Sequence, residues 1–187
     1  MKFNMGCGHN KLAGYVNVDA FAEGEPDQQV DLETLPWPWP DNAADEMIFN
    51  HSLEHMGGDP KVFMGIMQEI YRVSKPDALV QINVPHPRHD DFINDPTHVR
   101  AITPPMLALF DRRLNDRWKA MKASNSPLAH YLGVDFETIK VEHVLDPAYL
   151  EQYTSGAVTS AQIADFMKSR LNVVKEFHVT LKVRKGA

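Results

Sequence analysis

The sequence predicts one α/β domain built on a mostly parallel sheet, and three observations carry that expectation. Short apolar runs alternate with segments whose apolar residues recur at helical spacing. At 187 residues, 43% hydrophobic and 24% charged, the chain closes a single core and buries roughly 70% of its unfolded surface. Glycines and aspartates follow the first three apolar runs, at the edge where such sheets bind ligands.

The elements follow in order. Lys2 to Met5 reads as a first strand, Tyr15 to Val18 as a second ending at Asp19, and Gln29 to Leu32 as a third. Leu35-Pro36-Trp37-Pro38-Trp39-Pro40 is neither helix interior nor central strand, because its three prolines lack the backbone donor both need. It is expected as a rigid platform against the sheet edge or a ligand, with an exposed aromatic contact as the alternative. Glu46 to Asn50 is the fourth strand. From Asp59 to Ser74, Val62, Phe63, Ile66, Met67, Ile70 and Val73 mark one helical face, with Asp59 as N-cap, Pro60 in the first turn and Pro76 as the stop.

Ala78 to Val84 is the fifth strand, closed by Pro85. About fifty residues then separate it from the next strand, Glu137 to Leu145, a connection far longer than usual loops. Within it Thr103-Pro104-Pro105 opens a helix through Phe110, and Leu114, Trp118 and Met121 mark another. The insertion, residues 85–135, is expected to act as a lid or substrate wall within a single domain spanning 1–187. A last helix from Ala148 to Arg170 and a strand from Val173 to Val183 complete the order.

Nineteen Lys and Arg against 25 Asp and Glu leave a net charge of −6, which disfavours a cationic, nucleic-acid-tracking surface. The single Cys7 excludes an internal disulfide and a multi-cysteine metal site, and fits a reducing, cytoplasmic setting. No apolar leader follows Met1, and no stretch approaches 18 uninterrupted apolar residues, so neither secretion nor membrane spanning is expected.

Gly6-Cys7-Gly8 allows a tight turn after the first strand and close backbone approach to a ligand. It is not a dinucleotide fingerprint: Lys11 stands where the third glycine belongs, and Asp19 comes only eleven residues after Gly8. Asp19 and Asp31, at strand ends, have the chemistry to accept ribose hydroxyls and an adenine amine; each alone reads equally as a turn residue or helix cap. Cys7 reads as packing, since no base partner is evident.

A second constellation runs from Pro85 through His86, His89, Asp90, Asp91, Asp95 and His98 to Arg100. Its composition suits a divalent metal, yet it has no helical histidine pair and its prolines shape a loop, so no metal is assigned. The preferred reading is a substrate pocket in which His98 or His86 works as acid or base, with a structural loop as the alternative. His55 is expected to fix the loop after the fourth strand. Arg112, Arg113, Arg117, Lys119 and Lys122 read as a solvated face, or as favouring an anionic acceptor if they border the site.

Taken together, Phe3-Asn4-Met5-Gly6-Cys7-Gly8, Val16-Asn17-Val18-Asp19, Asp31-Leu32-Glu33-Thr34-Leu35-Pro36, Pro40-Asp41-Asn42-Ala43-Ala44-Asp45-Glu46, Asn50-His51-Ser52-Leu53-Glu54-His55 and Glu69-Ile70-Tyr71-Arg72-Val73-Ser74-Lys75-Pro76 resemble the class I S-adenosylmethionine-dependent methyltransferases over roughly the first half of the chain. The resemblance implies a Rossmann-like three-layer sandwich with about seven strands and S-adenosylmethionine as cofactor. It implies that Gly6 and Gly8 flank the methionine part, Asp19 takes the ribose hydroxyls, Asp31 with Leu32 reads adenine, and Asn50 and His51 line the sulfonium side. The sequence does not identify the acceptor; a small molecule or sugar is expected.

Two departures stand out. The helix after the glycine loop must shrink to a turn, and no helix precedes the first strand, so cofactor affinity would depend on the insertion or on a partner subunit in a homodimer. The alternatives carried forward are a metal-dependent hydrolase using loop 86–98 and a catalytically silent nucleotide-binding module.

Overall fold

A computed structural model of the chain describes residues 1–186. The strands are β1 (Lys2–Met5), β2 (Val16–Asp19), β3 (Gln28–Gln29), β4 (Ala44–Asn50), β5 (Ser74–Pro85), β6 (Phe136–Leu145) and β7 (Val174–Val183). They form one seven-stranded sheet in the order β3-β2-β1-β4-β5-β7-β6. Strands β1 to β5 pair in parallel, and β7 runs antiparallel to both β5 and β6. This is the Rossmann-like, mostly parallel sheet expected.

Strand alternation sorts the residues into two unlike faces. Phe3, Met47, Val80 and Leu181 lie side by side across four strands, as do Met5, Phe49, Ile82 and Val179, and all are buried. The helix α1 (Pro60–Val73) packs here through Phe63, Ile66, Met67, Ile70 and Val73. Fully burying each of its larger side chains contributes about 1.5–3 kcal/mol. Asp59 caps α1 by accepting from the Lys61 backbone N–H at 2.8 Å, and Pro60 occupies the first position, where no donor is needed.

The opposite face carries the rows Lys2, Glu46, Leu79, Lys182 and Asn4, Ile48, Gln81, Thr180. It is polar and, apart from Asn4, only half-buried from β4 onwards. The two layers are unequal because residues 6–15, between β1 and β2, are too few for a crossover helix. They form a turn that satisfies Asn4 and Asn17: the Asn4 amide donates to the Asn10 carbonyl at 2.9 Å, and Asn17 Oδ1 accepts from the Leu12 N–H at 2.7 Å.

Two expected elements differ. The third strand shrinks to Gln28–Gln29, because the Asp27 carboxylate takes the Asn17 N–H and side-chain amide at 2.8 Å each, and the chain turns again at Asp31. The long last helix is two, α6 (Pro147–Thr154) and α7 (Ser160–Ser169). Gly156, at φ 77°, ends the first in a left-handed turn, and a Thr159–Gln162 capping box starts the second.

The connection after β5 holds α2 (Asp90–Ile93), α3 (Pro104–Leu107), α4 (Arg112–Ala120) and α5 (Leu128–Leu132). Ile102, Leu107, Phe110 and Val134, each at most 1% exposed, join the main core, so residues 102–134 are a built layer of the domain. Thr97 and Arg100 reach the segment after β4, Thr97 at His55 Nδ1 and the Arg100 N–H at the Glu54 carbonyl. Trp37 and Trp39 are buried: Trp39 packs against Phe3 with ring centroids 4.8 Å apart and planes tilted by 52°, and Trp37 donates from Nε1 to the Leu32 carbonyl, so the run packs the sheet edge and exposes no aromatic contact. Among the described residues, no helix is long and apolar enough to cross a membrane.

Candidate functional site

At the carboxyl ends of β1, β2 and β4 lies a cavity of about 630 Å³, within the range of small-molecule sites. Gly6, Gly8, Asp19, Asp31, Leu32 and His51 all line it. Asn50 does not: its side chain is exposed, and its Oδ1 accepts from the Asn83 amide at 3.1 Å.

The chain leaves β1 through Gly6, whose φ of 69° is costly for any residue with a Cβ. A Cβ there would also lie 2.5 Å from Ser52 Cβ, because Ser52 is drawn in by donating to the Met5 carbonyl at 2.7 Å. The backbone N–H groups of Gly6 and Cys7 both donate to the Val18 carbonyl, at 2.8 and 2.9 Å, which closes the turn onto β2. The Gly8 N–H then donates to Asp19 Oδ2 at 2.8 Å, and the Phe21 N–H to Asp19 Oδ1 at 3.0 Å. Asp19 is thereby held at the rim by backbone donors, with lone pairs left for a ligand.

On the adjoining segment, whose Val30 N–H donates to the Asp19 carbonyl at 2.8 Å, Asp31 accepts from the Glu33 N–H and the Thr34 hydroxyl, both at 2.9 Å, which fixes the turn that presents Leu32. Leu32, 3% exposed, forms an apolar wall with Val30 and Met56.

The third wall comes from the segment after β4. His51 sits at φ 53°, a left-handed conformation uncommon for a residue with a Cβ and enriched at functional positions. Its N–H donates to the Asn83 carbonyl at 2.9 Å. Its ring lies between two carboxylates, with Nδ1 3.7 Å from Glu54 Oε1 and Nε2 3.5 Å from Glu176 Oε2. Burial pushes the Glu54 carboxyl up to about 7. Burial also lowers the His55 pKa, with the neighbouring His98 adding to the effect.

The three histidines of loop 86–98 go three separate ways. His98 lies behind His55, ring centroids 4.6 Å apart, and its Nδ1 donates to the Phe92 carbonyl at 2.9 Å. His89 caps α2 by accepting from the Asp91 N–H, and its Nε2 lies 3.3 Å from Asp146. His86 packs on Phe177 at 4.7 Å, and its Nδ1 accepts from the Arg88 N–H at 3.0 Å. Burial brings the His86 pKa down to about 4. It lines a separate crevice with Arg88, Met167 and Arg170. The basic residues of α4 are likewise absent from the cavity wall.

Sequence reasoning missed Phe21, Val30, Glu33, Ser52 and Met56 on the wall and assigned His55 only a loop-fixing role. Glu33 accepts from the Gly57 N–H at 2.7 Å and so ties the Asp31 turn to the segment after β4. The nearest signal was proximity in sequence to Asp19, Asp31 and His51.

No protein-family model and no curated protein matches the chain. Solved structures do. A SAM-dependent methyltransferase from Archaeoglobus fulgidus is 19% identical, with 97% of this chain and 85% of that one covered at a TM-score of 0.62. A 1,6-didemethyltoxoflavin-N1-methyltransferase from Burkholderia thailandensis, solved with 1,6-didemethyltoxoflavin and S-adenosylhomocysteine, is 13% identical, covering 98% and 71% at a TM-score of 0.54. The cyclase SpnF is 17% identical, covering 99% and 75% at a TM-score of 0.54. At these identities the likeness is one of fold, and one fold carries more than one chemistry.

Proposed function

We propose that this chain, with the fold of the structures just described, is an S-adenosylmethionine-dependent methyltransferase acting on a small-molecule acceptor. The observation that carries the reading is the Asp19 carboxylate, pre-ordered by two backbone donors on the rim of a 630 Å³ cavity that Asp31 also lines. The donor set suits the cofactor. Asp19 is an acceptor for the ribose hydroxyls, Asp31 and the Leu32 wall suit the edge and face of adenine, and the turn at Gly6 and Gly8 leaves room for the methionine part. A Cβ on Gly8 would meet no atom within 4 Å.

When bound, the cofactor supplies an electrophilic methyl group that passes in line to a nucleophile, leaving S-adenosylhomocysteine. The chain contributes mainly alignment, which suffices for an amine or a stabilised anion. For a hydroxyl acceptor a base is needed, and His51 replaces His98 and His86 in that role. It is on the cavity wall, and Glu176, itself 2.9 Å from His178 Nε2, stands beside it to stabilise the imidazolium. His86 has its acceptor nitrogen occupied and lies outside the cavity.

Calorimetry with S-adenosylmethionine and S-adenosylhomocysteine tests the cofactor assignment directly. One site per chain is expected, and no binding of either compound would overturn it. Transfer of a labelled methyl to a panel of small hydroxyl and amine acceptors then tests the reaction. Binding without transfer across the panel would instead favour the silent nucleotide-binding module.

A further inference from the structure

Glu54, in the turn after β4, is 1% exposed, and neither carboxylate oxygen has a hydrogen-bond partner. A buried carboxylate left in this state is costly, and such groups are rare without a functional reason. The nearest nitrogen of His51 is 3.7 Å away, beyond hydrogen-bonding distance. The Arg100 guanidinium is committed to the Gly57 carbonyl and to the face of Phe63.

Beside Glu54 stand two further histidines: one donor atom each of Glu54, His55 and His98 lies within 4.8 Å of the others. Their hydrogen bonds fix which nitrogens are free. In the neutral ring His98 Nδ1 donates to a carbonyl, and Nε2, 3.8 Å from Asp95 Oδ2, carries the lone pair. Thr97 donates its hydroxyl to Asp95 Oδ1 at 2.6 Å, so at 2.9 Å it accepts from His55 Nδ1, and His55 Nε2 also carries a lone pair. Two imidazoles with lone pairs to offer and a carboxyl group without a hydrogen-bond partner thus share a small volume. Outer hydrogen bonds that orient a histidine through Nδ1 are the usual support of a metal ligand.

We infer that Glu54, His55 and His98 hold a divalent first-row transition-metal ion at the edge of the cavity. Two imidazoles and one carboxylate suit Zn²⁺, Co²⁺, Mn²⁺ or Fe²⁺ better than the oxygen-seeking Mg²⁺ or Ca²⁺. A tetrahedral site needs about 3.4 Å between donors, so side-chain movement of about an ångström closes the triad. His55 belongs to the cavity wall, so the ion sits where it can meet an oxygen of a bound acceptor. The site joins the segment after β4 to the start of the insertion, residues that sequence spacing alone keeps apart. Nothing in it depends on the methyl-transfer reading.

The test is metal binding by the chelator-stripped, purified chain, read by Zn²⁺ calorimetry and by the visible absorption of Co²⁺. One ion per chain is expected, with affinity at least tenfold weaker in Glu54→Gln and in His98→Gln, and unchanged in His130→Ala, whose ring pairs with Asp116 far along the chain. Zn²⁺ should raise the melting temperature of the wild type and of His130→Ala but not of the two ligand variants. Should Glu54→Gln fail to fold, His98→Gln decides alone. Absence of stoichiometric binding by the wild type, or one ion bound at wild-type affinity by the ligand variants, would overturn the inference. Both results are independent of any S-adenosylmethionine measurement.

Discussion

The Gly8 backbone N–H and the Asp19 carboxylate meet at 2.8 Å, so the turn after β1 and the tip of β2 are held as one unit. Asp19→Ala removes both the acceptor that orders this turn and the charge offered to a ribose. S-adenosylhomocysteine binding should weaken by roughly 1.5–3 kcal/mol, about 10- to 150-fold, with the fold intact. Asp31→Ala should cost less, since a single amine contact is at stake. Equal affinity of wild type and Asp19→Ala by calorimetry would remove the ribose assignment.

The two glycines of that turn should respond differently to alanine. Gly6→Ala combines a left-handed φ with a 2.5 Å clash against Ser52, so it should lower unfolding free energy by more than the roughly 1–2 kcal/mol of backbone cost alone. Gly8→Ala meets open space and should cost about that backbone amount or less, while impairing cofactor binding. Urea denaturation of both variants checks the order. A Gly8 variant less stable than the Gly6 variant would contradict it.

His51→Asn keeps a residue tolerant of the left-handed conformation while removing the imidazole. With a hydroxyl acceptor, the single-turnover rate should fall roughly 10²- to 10⁴-fold, with little change in cofactor affinity. His86→Asn should leave that rate near wild type. The reverse pattern would return the base to loop 86–98.

His86 also makes stability depend on pH. Held neutral in the folded chain with a pKa of about 4, it takes a proton near its ordinary 6.5 once unfolded. Its contribution is therefore complete above about pH 6.5 and is lost as pH falls from there toward 4. His86→Asn retains an acceptor for the Arg88 N–H but not the titration. The melting temperature of the wild type should drop more between pH 7.5 and pH 5 than that of the variant, and equal drops would refute the assignment.

Glu69 is the hub that fixes the Trp37 segment to α1, accepting from the Trp37 N–H at 2.7 Å and from Arg72 at 2.6 and 2.8 Å. Removing it strands a buried N–H and a partly buried guanidinium, so Glu69→Ala should destabilise by about 2–4 kcal/mol. A change below about 0.5 kcal/mol in urea denaturation would show the network to be dispensable.

Strand positions were readable wherever one face is buried, because Met47 and Phe49 alternate with Glu46 and Ile48 in the pattern a half-exposed sheet requires. The break at Gly156 was hidden by apolar residues on both sides of it, and β3 was overestimated because Asp27 captures Asn17 through tertiary contacts that no local pattern records. In the site, Gly6, Gly8, Asp19, Asp31, Leu32 and His51 were legible as turn-formers and polar residues at strand ends. Glu54 was not: a carboxylate in Leu53-Glu54-His55 looks solvent-facing until the fold closes over it. His98 was read with its neighbours in loop 86–98 and not with His55, since forty-odd residues separate the two.

The turn over residues 6–15 does two jobs. It borders the ligand cavity, and it is the cover for Asn4 and Asn17 on the polar side of the sheet. Occupancy of the cavity and protection of those strands then become one cooperative event. Amide exchange in β1 and β2 should slow on ligand addition well beyond the residues in contact, while β6, on the opposite margin of the sheet, keeps its own rate. With its second layer reduced to a turn, the breathing of β1 and β2 should then serve as the readout of cavity occupancy.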